Sequence, residues 1–189
     1  MLWRLKDGSN RLSTSLQARC EERVRALEIP AAEKLTIPQL CRHIGRLQNR
    51  SILLVPLELP VGSPDGLWIS ADDLDYVVFE QRLAPVHQHQ VILHEIGHLV
   101  CGHEAAPVMT PDSSRLLLPS LDPEMVRRVL GRQHEHSEVE VEAELVGSLI
   151  GRQIGTWTVR QTWNVPPEAQ GLSSRLAALE SPNHRGIHE

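Results

Sequence analysis

Apolar residues recur at helical intervals near the start of the chain. Leu16, Cys20, Val24 and Leu27 follow one another at steps of four, four and three among Arg, Gln and Glu, which predicts an amphipathic helix over Ser13 to Leu27. After Ile29-Pro30 a second helix is expected from Pro38, placed in a first helical turn behind Thr36, with Leu40, Ile44 and Leu47 facing inward. The two are expected to form a helical hairpin beside the rest of the molecule. The pattern then changes to short runs rich in branched residues: Ser51 to Leu57, Leu67 to Ser70 and Asp75 to Glu80 read as strands. Gly62 to Gly66 has the composition of a loop, and Asp72-Asp73 that of a tight turn.

Helical spacing returns beyond a connecting loop, Arg82 to Gln90. Val91 to Val100 is apolar nearly all round, as a buried helix should be, and Gly102 is a stop signal just past it. Gly97 lowers helix propensity by about 1 kcal/mol relative to Ala, so a close neighbour is expected there. The run from Glu104 to Pro119 has loop composition, Asp122-Pro123 starts a helix reaching to about Gly131, and a further helix is expected over Ser137 to Ile154. Beyond Gly155 the chain carries Trp157 and Trp163, a short helix is expected over Ser173 to Leu179, and the last residues have the composition of a disordered end. A few strands leading into helices describe an α+β fold in which a small sheet of about three strands lies against the Val91 to Val100 helix, flanked by N-terminal and C-terminal helices.

Within that apolar helix lies His94-Glu95-Ile96-Gly97-His98, the pattern HExxH. Residues four apart share a helix face, so His94 and His98 can offer imidazole nitrogens to one metal ion, with Glu95 beside them as a general base. A buried polar group is costly unless it is paired or bound to metal, which favours a metal site over a chance match. Zinc bound for catalysis takes a third protein ligand. His103 gives a spacing close to HExxHxxGxxH, but Gly102 and His103 are each displaced by one position, and one residue rotates a ligand by about 100° on a helix. His134 and His136 are further candidates, as are Glu138, Glu140, Glu142 and Glu144, which can equally be a solvated, dipole-compensating helix start. His87 and His89 read as polar residues ahead of the helix proper.

HEIGH, followed by Glu140-Val141-Glu142-Ala143-Glu144-Leu145, resembles the ImmA/IrrE family of zinc metallopeptidases, chiefly its short, prophage-associated members. The resemblance covers roughly residues 51 to 155. Members pair HExxH with a later E-x-x-A helix whose first Glu completes the zinc site, which implies a zincin-like core with His94, His98 and Glu140 as ligands and Glu95 as general base. Two positions depart from the family pattern: Gly147, where many members have alanine or another small residue, and Glu144, where others often carry Asn. The resemblance also implies a regulatory metallo-endopeptidase whose partner is a protein or peptide substrate, typically a helix-turn-helix repressor. The alternative is a zinc-containing regulator that binds its partner without cutting it. A strand such as Asp75 to Glu80 could pair with an extended substrate, which makes Tyr76 a candidate donor to the oxyanion.

Charge and cysteine usage narrow the setting. A formal net charge of -5 gives no reason to expect nucleic-acid binding, although Arg42, Arg46 and Arg50 on the second helix lend slight support to a DNA-reading pair. Cys20, Cys41 and Cys101 are odd in number and widely spaced, which points to a reducing compartment, and Cys101 reads as a small packing residue. With no signal-peptide pattern at the start and no apolar run approaching about 20 residues, a cytoplasmic location and no membrane contact are expected. The expected organisation is an N-terminal helical extension over 1–50, a zinc metallopeptidase core over 51–155 and a partly disordered tail over 156–189.

Overall fold

A computed structural model describes residues 4–30, 34–59, 64–70, 74–103, 128–130, 138–155 and 163–174. Helix α1 (Arg4–Ala26) and helix α2 (Ile37–Gln48) precede strands β1 (Ser51–Leu57), β2 (Gly66–Ser70) and β3 (Leu74–Glu80). Helix α3 (Pro85–Cys101), strand β4 (Arg128–Leu130) and helix α4 (Glu138–Ile154) follow, and a short 3-10 turn over Pro167–Ala169 leads into a final helical stretch at 170–174. The fold is α+β. Its mixed sheet has the order β1-β3-β2-β4, with β1 parallel to β3 and the other pairings antiparallel.

Local chemistry accounts for the ends of the helices. Thr36 caps α2 in a capping box: its hydroxyl accepts from the Gln39 N–H while the Gln39 side chain accepts from the Thr36 N–H. Helix α3 starts at Pro85, six residues ahead of Val91, because a proline at the first helical position loses no hydrogen bond there. His87 and His89 therefore lie inside α3, and His89 is buried with its ring edge-on to Trp163 at 6.1 Å. Gly102 ends α3 in the left-handed conformation (φ 65°), and its N–H reaches back to the carbonyls of His98 and Leu99.

Side chains alternate across the sheet. Ile52, Leu54, Trp68, Val77 and Phe79 join one hydrophobic cluster with residues of all four helices, whereas Val55, Leu57, Ile69, Tyr76 and Val78 join a second with Ala169 and Leu172. Helix α3 packs on β2 and β3 and also on α4, which explains why it is apolar nearly all round. Its contact with α4 is backbone to backbone. A Cβ at Gly97 would collide with the carbonyl oxygen of Ala143, and one at Gly147 would stand 2.6 Å from the carbonyl oxygen of Leu93.

Several expectations are corrected. The sheet has a fourth strand: Arg128–Leu130 pair with Trp68, Ile69 and Ser70, where a helix through Gly131 was expected, because the edge of β2 offers this segment backbone partners that local propensity does not reveal. Helix α1 packs mainly on α4 and α2 on β1, so the two do not form a hairpin chiefly with each other. Leu47 is half exposed at 50%, and Cys41 takes its place on the buried face of α2. Gly66 opens β2 instead of closing the preceding loop. The Gly62 and Asp72-Asp73 turns, the Glu104 to Pro119 loop, the Asp122 helix start, His134, His136, Trp157, most of the Ser173 to Leu179 helix and the chain end lie outside the described residues.

A buried carboxylate ties the end of the sheet to the start of α3. Glu80 accepts hydrogen bonds from the Leu59 N–H (2.8 Å), the Arg82 N–H (2.7 Å) and the Arg82 guanidinium (2.7 and 2.8 Å). The Arg82 side chain above all, aided by the two backbone N–H groups and opposed by burial, lowers the Glu80 carboxyl from the ordinary 4.5 to about 2.

Gly97→Ala and Gly147→Ala force the backbones of α3 and α4 apart and should each lower the unfolding free energy by about 1–3 kcal/mol in chemical denaturation. Gly171→Ala, whose added methyl meets nothing within 4 Å, should not destabilise. Glu80→Gln should cost about 1–3 kcal/mol at neutral pH. A carboxyl whose pKa is lowered by folding contributes its stability in full above the unfolded value, so the gap between wild type and Glu80→Gln should close as pH falls from 4.5 towards about 2.

Candidate metal centre

The four-residue spacing of His94 and His98 places their rings on one face of α3, with centroids 4.7 Å apart and Nε2 atoms 3.0 Å apart. Glu140 reaches them from the first turn of α4, its Oε2 3.3 Å from His94 Nε2 and its Oε1 3.6 Å from His98 Nε2. These separations fit one small cation. Bonds of about 2.0–2.1 Å in a tetrahedral arrangement put donor atoms about 3.3–3.4 Å apart. Two imidazoles and one carboxylate form a nitrogen and oxygen donor set suited to zinc.

Helical geometry distinguishes the acidic residues of α4. Glu140, Ala143 and Gly147 share the face that meets α3, since steps of three and seven residues return close to one line along a helix. Glu138 points instead to Arg19 at 3.1 Å. Glu142 pairs with His103 at 3.2 Å, Arg23 at 3.4 Å and Arg19 at 3.5 Å. Glu144, one turn beyond Glu140, places Oε2 3.2 Å from His94 Nδ1. Burial by itself would raise the Glu142 carboxyl, but its hydrogen bond with His103 and the charges of Arg23 and Arg19 outweigh this and hold it below the usual range.

Glu95 is buried where α3 meets the start of β2. A Cβ on Gly66 would stand 2.7 Å from Glu95 Oε1, so the glycine leaves the space that the carboxylate fills. A small cleft beside His94 is lined by Gln90, Leu93, Glu144, Gly147 and Ser148.

The remaining candidates fall elsewhere. His103 stands behind His98, its Nδ1 2.9 Å from His98 Nδ1 and thus on the ring edge away from Glu140. Cys101, His103 and Glu142 form a second buried group whose donor atoms lie within 4.8 Å of one another. Burial pushes the Cys101 thiol up to about 12, which suits the packing residue expected there. Tyr76 is buried in the cluster on the sheet face turned away from α3, so the structure does not bring it to the His94 and His98 pair. Strand β3 is paired along both sides, by β1 and β2, and has no edge for an extended substrate. Sequence reasoning missed Gly66 and the partners of the two Nδ1 atoms. The four-residue spacing of Glu140 and Glu144 was the available signal for the second of these.

Comparison with protein-family models, characterised proteins and solved structures finds no match for this chain.

Proposed function

We propose that this protein is a zinc-dependent metallo-endopeptidase with a zincin-like core, in which His94, His98 and Glu140 hold the metal and Glu95 is the general base. The observation that carries this reading is the convergence of two imidazole nitrogens of α3 and the carboxylate of Glu140 on α4, with separations of 3.0–3.6 Å, beside a buried glutamate. When bound, zinc supplies Lewis-acid chemistry, acidifying a water and polarising the scissile carbonyl. His94 and His98 present neutral Nε2 lone pairs, and Glu140 adds the charge that favours a divalent ion. Glu95 accepts the proton of the attacking water and passes it to the leaving amine. Among the described residues the edge strands of the sheet are β1 and β4, so an extended peptide would add there and not at β3.

The motif and the Glu140 helix are similar to those of the ImmA/IrrE family, and on that resemblance the substrate is a regulatory protein, with a helix-turn-helix repressor the leading candidate. Cys20, Cys41 and Cys101 are free and buried, which suits a reducing compartment such as the cytoplasm. No helix among the described residues is long and apolar enough to cross a membrane.

Metal analysis tests the ligands. The purified protein should carry one zinc per chain, and His94→Ala and Glu140→Ala should each lose it while Glu138→Ala does not. Full zinc occupancy in the first two would overturn the site. Cleavage tests the chemistry: with a candidate repressor and mass-spectrometric detection of products, Glu95→Gln should retain zinc and lose at least about 100-fold in turnover. A variant that still inactivates the repressor undiminished, without cutting it, would establish the binding-regulator reading instead.

A further inference from the structure

The far sides of both candidate ligand rings are engaged, in different ways. His94 Nδ1 faces the Glu144 carboxylate, which is 69% exposed. His98 Nδ1 faces a buried chain: His103 Nδ1 at 2.9 Å, then His103 Nε2 to Glu142 Oε2 at 3.2 Å, then Glu142 Oε1 to Arg23 and Arg19 on α1. A neutral imidazole carries one N–H and one lone pair, so two rings in contact through nitrogens need one donor and one acceptor. The ionised Glu142 accepts only, which makes His103 Nε2 the donor and, in a neutral ring, His103 Nδ1 the acceptor. His98 must then carry its proton on Nδ1, and its Nε2 lone pair points to His94 and Glu140. The opposite direction would set a lone pair of His103 against the carboxylate and an N–H of His98 into the donor site.

We infer that His103 and Glu142 are positioning residues that fix the tautomer of His98, with Arg19 and Arg23 of α1 holding Glu142 in place; the inference rests on the metal reading given above. Helix α1 thereby becomes part of the support of the metal centre, although it contributes no ligand. A metal held by the second donor group, Cys101, His103 and Glu142, would take either the His103 Nε2 lone pair, which needs the opposite tautomer, or the Nδ1 lone pair, which already accepts from His98. The two groups exclude each other, and the relay selects the one at His94, His98 and Glu140.

The test uses the full chain and zinc. In competition with a chromophoric chelator, His103→Phe, which fills the space without hydrogen bonds, should bind zinc about 10–100-fold more weakly. His103→Gln should recover most of the loss, since its carbonyl can accept from His98 and its amide can donate to Glu142. Long-range proton–nitrogen NMR of the zinc-loaded wild type should place protons on Nδ1 of His98 and Nε2 of His103, and this measurement decides the matter if His103→Phe does not fold. Unchanged zinc affinity in a folded His103→Phe, a proton on His103 Nδ1, or two zinc ions bound at once would overturn the relay while leaving the ligand set intact. Failure of the wild type to bind zinc would overturn both.

Discussion

Direct backbone contact between α3 and α4 governs the geometry of the site. Gly97 meets the Ala143 carbonyl and Gly147 meets the Leu93 carbonyl, so the helices approach more closely than any pair of side chains would allow. Gly97 lies between the two histidines of its helix, and Gly147 lies two turns beyond Glu140 on the same face of α4. The contact that sets the distance between the helices therefore also sets the register of the donor atoms. A bulkier residue at either glycine would displace Glu140 from the imidazoles.

That close approach gathers polar groups in an apolar setting. His94, Glu95, His98, His103 and Glu142 are all buried, and each such group costs free energy unless it is paired. The pairs are supplied from several elements: Glu140 and Glu144 for His94, His103 for His98, and two arginines of α1 for Glu142. The acidic start of α4 is more than compensation for a helix dipole. Its four carboxylates, spaced two apart, fan around the helix: Glu138 and Glu144 lie towards the surface, against Arg19 and His94, while Glu140 and Glu142 reach inward.

The sheet contributes rigidity and one opening. Its α3-facing side includes Trp68, Val77 and Phe79, and Gly66 at the head of β2 leaves room for Glu95. Asp75 draws the Arg50 guanidinium (2.6 Å) and the Trp68 indole N–H (2.9 Å) together beneath that side, joining the end of α2 to the two strands under α3.

The sequence by itself determined the local features. The helix start behind Thr36, the stop at Gly102, the three strands and the common face of His94 and His98 follow from residue types and spacings within one turn or one strand, where chain geometry alone decides what can meet. The close neighbour implied by Gly97 was legible as a vacancy, though its identity, Ala143, was not. Tertiary structure decided the rest. Spacing left Glu138, Glu140, Glu142 and Glu144 open, since helical periodicity orders them around their own axis but does not say which direction faces α3. Tyr76 looked available until the strand order put β3 in the middle of the sheet and that side chain on its far face. The short β4 was misread as helix because its partner, β2, is remote in sequence. His103 looked like a displaced ligand and stands instead behind His98, because the left-handed turn at Gly102 swings the chain back against that ring.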